Sequence, residues 1–151
     1  MKNLPSMLNN GLKKTNNWIT KSPSETLELG RALAKKVKKG VPLCISGDLG
    51  AGKTTLIKGI ASYLTGISPL EVNSPTFSYL NIYEGFKTLY HFDLYRIDGC
   101  DEFMSLGFDE YLSHICCVEW GEKIEALLPK NCVFLKLKYL SLEKRIISYE
   151  F

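Results

Sequence analysis

The chain has 151 residues, of which 45% are hydrophobic and 23% are charged, a composition typical of one globular domain with a single core. The net charge of +3 is too small to indicate a nucleic-acid-binding surface by itself. No window approaches the run of about 18 apolar residues that spans a bilayer, so no membrane protein is predicted.

The cysteines indicate a reducing compartment. Five cysteines are present, an odd number without a Cys-x-x-Cys pair, and only two histidines accompany them. This pattern argues against a disulfide framework or a zinc site and predicts a cytoplasmic protein. Cys44, Cys116 and Cys132 lie in apolar runs and are predicted to be small core residues.

The first residues differ in composition from the rest of the chain. Residues 1–17 are polar, rich in asparagine and lysine, and lack the apolar stretch of a secretory signal. We predict that they form a flexible N-terminal extension. Residues 18–151 are predicted to form the single domain, since no repeat or low-complexity tract divides them.

The first predicted element is a helix that begins at Ser22. Ser22 can cap it, Pro23 suits its first position, and Glu25 completes a capping-box pattern. Apolar residues recur at helical spacing until Gly40, which is predicted to end the helix. Its last turns carry four lysines that suit the negative end of the helix dipole, an RNA-binding patch being the less favoured alternative. These are Lys35, Lys36, Lys38 and Lys39.

The remaining segments mix strand and helix patterns. Apolar runs bounded by turn residues predict six strands, at 41–46, 77–83, 88–92, 115–118, 132–137 and 145–149. Two further helices are predicted at 53–63 and 101–112. Strands and helices mixed in this way predict a layered α/β domain.

Residues 47–54 carry the pattern Gly-x-x-x-x-Gly-Lys-Thr between a predicted buried strand and a predicted helix. Glycines let the backbone turn tightly, so that its N–H groups and the helix N-terminus can surround a phosphate. Lys53 is expected to neutralise the β- and γ-phosphates of ATP, Thr54 to ligate Mg²⁺ and Thr55 to reach the α-phosphate. The predicted nucleotide contacts are Asp48, Leu49, Gly50, Ala51, Gly52, Lys53, Thr54 and Thr55.

A phosphate loop alone does not identify the reaction. The chain has no Asn-Lys-x-Asp motif, which argues against a GTPase. Small-molecule kinases usually close several arginines over the phosphoryl group, whereas this chain has only Arg31, Arg96 and Arg145. The classes of phosphate-loop protein that remain are a compact ATPase and an ATP-dependent switch.

Two carboxylates are candidates for the Mg²⁺ shell or for orienting the attacking water. Asp93 and Glu119 each follow an apolar strand-like run. Phosphate-loop proteins place a carboxylate at the end of a neighbouring strand for these purposes. Which of the two contacts the metal stays open at this point.

Four motifs in a fixed order resemble the signature of the TsaE (YjeE) family. They are GDLGAGKTT at 47–55, SPTF at 74–77, HFDLYR at 91–96 and VEW at 118–120. The resemblance runs from about Trp18 to the C-terminus. It implies a three-layer phosphate-loop NTPase domain with a mixed, mostly parallel central sheet. Members of this family are bacterial ATPases that support synthesis of threonylcarbamoyladenosine on tRNA.

The resemblance also implies site residues and partners. Thr54 and Glu119 would hold Mg²⁺, with Asp93 in the Walker-B-like position, and Lys53, Asp93 and Glu119 would serve catalysis. Thr76 would lie in a nucleotide-sensing loop, Trp120 beside the nucleotide, and Ser22 on the adenine side. The partners would be TsaD and TsaB, and TsaD would carry out the transfer to tRNA.

We therefore expect a weak cytosolic ATPase that acts on the TsaD–TsaB complex and meets tRNA only indirectly. One alternative is a switch in which ATP occupancy drives assembly without a catalytic role. The other alternative is a small phosphate-loop nucleotide kinase.

Overall fold

The strand order of the sheet places the phosphate loop near its centre. The computed structural model describes residues 16–150, and within them seven strands form one sheet in the order β1-β7-β6-β2-β5-β4-β3. Strands β6, β2, β5 and β4 are parallel to one another. The outer strands are antiparallel to their inner neighbours: β3 to β4, β7 to β6 and β1 to β7. The strands are β1 (Asn16–Thr20), β2 (Leu43–Ser46), β3 (Leu80–Tyr83), β4 (Leu89–Asp93), β5 (Cys116–Glu119), β6 (Val133–Tyr139) and β7 (Arg145–Glu150).

Helical elements cover both faces of the sheet. One face packs on two helices, and the other packs on a short helix and two 3₁₀ segments, each around its own apolar cluster. The predicted three-layer α/β fold is therefore confirmed. The helices are α1 (Pro23–Ala34), α2 (Lys53–Thr65) and α3 (Cys100–Ser105), and the 3₁₀ segments are Pro69–Glu71, Phe108–Ser113 and Gly121–Leu127.

Strand β1 was not predicted from the sequence. Residues 1–15, most of the predicted extension, lie outside the described residues, but Asn16 and Asn17 pair with β7. Trp18 packs on Tyr149 with ring centroids 5.6 Å apart. The strand lies at the edge of the sheet, and its partner comes from the far end of the chain. No local pattern could therefore reveal it.

Helix α1 begins as predicted but ends early. The Ser22 hydroxyl accepts a hydrogen bond from the Glu25 N–H, 3.2 Å apart. The Glu25 carboxylate, however, accepts from the Lys21 N–H rather than from Ser22, so the predicted capping box is only half formed. The helix ends at Ala34 because the next N–H groups bond to carbonyls three residues back, which tightens the last turn. The four lysines follow it, all exposed.

Two other predicted elements are shorter than their patterns. Strand β3 starts at Leu80 because Tyr79 takes a left-handed φ of 64° and donates its N–H to Pro75 O. The helix predicted at 101–112 is wrong beyond Ser105, since Gly107 has φ 73° and a 3₁₀ segment follows. This break lets Phe108 pack edge-on against the core ring of Phe92.

The cysteines divide by environment. Cys44 and Cys116 are buried as predicted, whereas Cys132 is only partly buried, and all five cysteines are free thiols. The Sγ atoms of Cys44 and Cys132 lie 3.2 Å apart, and this hydrogen bond lowers the pKa of Cys132 while it raises the pKa of Cys44. Burial raises the pKa of Cys116 to about 12. Cys132 is therefore the thiol most readily ionised within the pair.

Helices α1 and α2 cross at two glycines. A Cβ on Gly30 would lie 2.2 Å from Leu56 O, and one on Gly59 would lie 2.0 Å from Leu27 O. Backbone carbonyls cannot move aside as a flexible side chain can. This close approach presses α2, the helix that carries the phosphate loop, against α1.

Replacement of Gly59 by alanine is expected to lower the free energy of unfolding by about 1–3 kcal/mol, because the new methyl group overpacks the crossing. On an exposed helix the same change would raise stability by roughly 0.5–1 kcal/mol. Urea denaturation of both proteins measures the difference. An unchanged or higher midpoint for Gly59→Ala contradicts the close crossing.

Candidate nucleotide-binding site

The phosphate loop connects β2 to α2 and depends on glycine geometry. Gly47, Gly50 and Gly52 have φ values of 148°, 77° and 101°, which L side chains rarely adopt. A Cβ on Gly47 would also lie 2.6 Å from Leu137 O. The loop closes through a hydrogen bond of 3.0 Å from the Ala51 N–H to Asp48 O. The predicted strand–loop–helix unit is therefore present.

Lys53 folds back over the loop that precedes it. The residue is only 5% exposed, and Nζ donates to Gly47 O at 2.7 Å and to Asp48 O at 3.0 Å. The ammonium also lies 4.8 Å from the centroid of the Trp120 ring. The positive charge is thus held at the loop by neutral carbonyls and one aromatic face, and no carboxylate among residues 16–150 pairs with it.

Trp120 directly follows β5 in a left-handed conformation with φ 60°. Its ring is half-buried and packs at 5.3 Å from the Tyr95 ring. The left-handed backbone turns the chain away from the sheet, and the ring therefore lies beside Lys53. Trp120 thus lies at the loop, on the border of the apolar cluster of that face.

The two predicted carboxylates lie side by side. Asp93 and Glu119 are register partners at the ends of the parallel strands β4 and β5, and both are buried. Glu119 Oε1 accepts from His91 Nε2 at 2.8 Å and from the Thr54 hydroxyl at 3.5 Å. Glu119 therefore connects β5 to the first turn of α2.

Asp93 contacts a different set of groups. Its Oδ2 accepts from the Ser74 hydroxyl at 2.5 Å and from the Thr76 hydroxyl at 3.1 Å. Its Oδ1 accepts from the Tyr95 N–H at 3.0 Å. Both oxygens are thus occupied by protein donors, and the loop that contains Thr76 is tied to the end of β4.

His91 lies under Glu119 and is completely buried. Its Nδ1 has no hydrogen-bond partner among the described residues, while Nε2 bonds to Glu119. His91 lies within the strand predicted at 88–92. Its contact with Glu119 was not foreseen, because it depends on the register between β4 and β5.

The remaining predicted contacts between residues 48 and 55 belong to the loop or to the first turn of α2. Leu49 is exposed at the tip of the loop, and Thr55 is partly buried in the first turn of α2. Ser22 instead caps α1, and no hydrogen bond joins it to the loop. Its predicted place on the adenine side stays a prediction.

Two residues that contact the loop were missed. The Tyr139 hydroxyl donates to Gly50 O at 2.6 Å, and Arg145 Nε donates to Ala51 O at 3.0 Å. They are opposite each other on β6 and β7. No signal in the sequence connects them to a loop about ninety residues earlier.

The fold and the loop together define the class: an α/β protein in which a central parallel strand leads through a phosphate loop into a helix. A family profile described as "Threonylcarbamoyl adenosine biosynthesis protein TsaE" matches residues 20–147. The chain therefore belongs to the TsaE family of tRNA threonylcarbamoyladenosine biosynthesis proteins, in agreement with the resemblance of its motifs.

Individual relatives agree with this membership. The Bacillus subtilis protein named "tRNA threonylcarbamoyladenosine biosynthesis protein TsaE" is 42% identical over 135 residues, covering 87% of this chain and 83% of its own. The Treponema pallidum protein of the same name is 36% identical over 132 residues, covering 86% and 96%. The crystal structure of YdiB from Bacillus subtilis superposes with a TM-score of 0.72 at 34% identity, covering 93% and 87%.

Among residues 16–150, none of the helices is long and apolar enough to cross a membrane.

Proposed function

We propose that this chain is a weak, Mg²⁺-dependent ATPase of the cytoplasm that supports threonylcarbamoyladenosine modification of tRNA by acting on a complex of TsaD and TsaB homologues. The observation that carries the proposal is the position of Lys53. Its ammonium lies at the phosphate loop with no carboxylate partner among the described residues, and the next residue, Thr54, contacts Glu119. A cation and a hydroxyl in the first turn of α2, with a carboxylate at the end of β5 in contact with that hydroxyl, suit a metal-bound triphosphate.

The loop and Lys53 would bind the phosphates. Backbone N–H groups and the N-terminal end of α2 supply partial positive charge. Lys53 would exchange the carbonyls of Gly47 and Asp48 for phosphate oxygens, which are stronger acceptors for an ammonium. Trp120 would line the same side of the site.

Thr54 and Glu119 fit a magnesium site. Both offer oxygen atoms, which Mg²⁺ prefers, and Glu119 Oε2 makes no hydrogen bond to the described residues. When bound, Mg²⁺ would neutralise charge on the phosphate oxygens. Asp93 is the less suitable ligand, because both of its oxygens already accept hydrogen bonds from protein groups. Asp93 would instead transmit a change at the nucleotide to Ser74 and Thr76, whose hydroxyls donate hydrogen bonds to it.

The loop around Thr76 is the proposed reporter of nucleotide state. Thr76 and Ser74 bond to Asp93, so a change at the end of β4 would reach this loop directly. The next residue, Phe77, is 81% exposed and lies 4.4 Å from the Arg96 guanidinium. A switch loop of this kind acts by exposing different surfaces in different ligand states.

A nucleotide kinase is the weaker alternative. Arg31 pairs with Glu28 on α1, Arg96 stacks on Phe77, and Arg145 bonds to a carbonyl of the phosphate loop. All three guanidiniums therefore already contact other groups of the protein, and none lies in a cluster of arginines that would close over a phosphoryl group.

We expect little ATP hydrolysis by the chain alone and a clear rise when TsaD and TsaB are added. The chain carries the parts for cleavage, but useful work needs a partner whose affinity differs between the ATP and ADP states. The experiment titrates the TsaD–TsaB pair against this protein with ATP, with ADP and without nucleotide. Turnover and partner affinity are measured in each state.

The outcomes separate the candidate functions. Nucleotide-dependent partner binding without any stimulated hydrolysis favours the switch without a catalytic role. Equal partner affinity in all three states, with unchanged turnover, contradicts the proposal, and phosphate transfer to a nucleoside would then identify a kinase.

A further inference from the structure

The outer side of the phosphate loop is held by the hairpin between β6 and β7. Tyr139 and Arg145 are the last and first residues of these strands and pair with each other. The Tyr139 hydroxyl donates to Gly50 O and the Arg145 Nε donates to Ala51 O. Two consecutive carbonyls of the loop are therefore bound by two side chains from outside it.

The hairpin itself is rigidly closed around Arg145. Its guanidinium lies 4.2 Å from the centroid of the Tyr139 ring. Its Nη1, which carries two hydrogens, lies within hydrogen-bonding distance (3.0–3.1 Å) of three carbonyls of the turn, those of Ser141, Leu142 and Lys144. These contacts within the hairpin fix the Tyr139 hydroxyl and the Arg145 Nε relative to each other, independently of the phosphate loop.

Fixing a carbonyl also fixes the next N–H group, since the two point in opposite directions across a planar trans peptide. The Arg145 contact with Ala51 O therefore turns the Gly52 N–H away from the hairpin. The Tyr139 contact with Gly50 O does the same for the Ala51 N–H, which bonds to Asp48 O inside the loop. The Ala51 N–H thereby closes the loop, whereas the Gly52 N–H, on the side of the peptide away from Arg145, would be a donor to a phosphate.

A bound nucleotide would break the hydrogen bonds that Lys53 makes to the loop but not those that Tyr139 and Arg145 make to it. Lys53 Nζ donates to Gly47 O and Asp48 O, and it would give up these two hydrogen bonds to bond to phosphate oxygens instead. Tyr139 and Arg145 bind two other carbonyls, those of Gly50 and Ala51, and we expect these contacts to persist when the site is filled. Gly50 and Tyr139 also fit closely, because a Cβ on Gly50 would lie 2.7 Å from the hydroxyl.

We propose that Tyr139 and Arg145 are positioning residues for the phosphate loop, which hold the carbonyls of residues 50 and 51 outward and thereby preorganise the loop N–H groups for nucleotide phosphates. The inference rests on the proposed binding of ATP. Neither side chain needs to touch the reacting atoms. Their loss should therefore weaken binding and leave the chemical step intact.

The test replaces Tyr139 by phenylalanine in the full-length chain, which removes one hydroxyl and keeps the ring under Arg145. Tyr63→Phe, the same change at a half-exposed tyrosine on α2, is the matched control. The dissociation constants for ATP and ADP, the turnover number, KM and the thermal midpoint of the nucleotide-free protein are measured.

We expect Tyr139→Phe to raise the dissociation constants for ATP and ADP equally, by about fivefold, which corresponds to one hydrogen bond. KM rises in parallel, while the turnover number and the thermal midpoint stay within error of wild type. Arg145→Lys acts in the same direction, and the double variant is less than additive, because both residues act on one loop. Tyr63→Phe behaves as wild type.

Each other result overturns the inference. Unchanged affinities in Tyr139→Phe, with normal binding by the wild type, remove the positioning role and leave the proposed function standing. A lowered thermal midpoint without a change in affinity assigns the residues a structural role only. A fall in turnover at saturation places the hydroxyl in the chemistry. Absence of ATP binding by the wild type overturns both this inference and the proposed function.

Discussion

Replacement of Lys53 by alanine is expected to weaken ATP binding by roughly 10- to 150-fold, which corresponds to the loss of a charge-assisted hydrogen bond of about 1.5–3 kcal/mol. The fold should survive, because Lys53 bonds only to carbonyls of its own loop and that loop is also held from outside by Tyr139 and Arg145. Calorimetric titration with ATP measures the effect.

A matched control lies on the same helix. Lys58→Ala removes the same charge one turn further along α2, where the lysine is partly buried and makes no hydrogen bond or ion pair with the described residues. Its affinity for ATP should equal that of the wild type. Wild-type affinity in Lys53→Ala would show that the loop does not bind nucleotide as proposed.

Replacement of Glu119 by glutamine is expected to lower Mg²⁺-dependent ATP hydrolysis on the order of 10²-fold while the fold stays intact. Glutamine keeps the size of the side chain and an oxygen that can face His91, but it loses the charge that would attract the metal. Because the phosphate loop is unaltered, nucleotide binding without Mg²⁺ should be retained. A titration of ATPase activity with Mg²⁺ is the measurement.

Asp93→Asn serves as the comparison for this prediction. It removes the same charge on the neighbouring strand, but at a carboxylate whose two oxygens accept hydrogen bonds from Ser74, Thr76 and Tyr95. The Mg²⁺ dependence should shift more in Glu119→Gln than in Asp93→Asn. If Glu119→Gln shows an unchanged titration and Asp93→Asn a shifted one, Asp93 is the ligand and Glu119 is not.

Part of the site could be predicted from the sequence because it depends on interactions between residues that are close together in the chain. The glycine spacing of residues 47–54, after a buried run and before a helical pattern, predicts its own conformation, because glycine tolerates the φ values that the turn requires. The helix start at Ser22 follows from a short-range hydrogen bond of the same local kind. Asp93 and Glu119 were predicted because each follows an apolar strand-like run and phosphate-loop proteins place a carboxylate at such a strand end.

Contacts between distant segments were decided only by the tertiary structure. The pairing of β1 with β7, the bond between His91 and Glu119, and the hold of Tyr139 and Arg145 on the phosphate loop all join segments that no local pattern connects. The helix predicted at 101–112 ends early because Gly107 takes a left-handed φ, and the break allows Phe108 to pack on Phe92, a contact that the sequence pattern did not predict.

The features predicted from the sequence and those seen only in the structure differ for one physical reason, the distance along the chain between the interacting residues. Backbone conformation at the phosphate loop and the helix caps depends on residues a few positions apart, which the sequence by itself determines. The orientation of Asp93 toward Ser74 and Thr76, and of Glu119 toward Thr54 and His91, depends on strand register and on which loops meet at the sheet edge. Those choices arise from packing across the whole chain, so only the folded structure could assign the two neighbouring carboxylates to different hydrogen-bond partners.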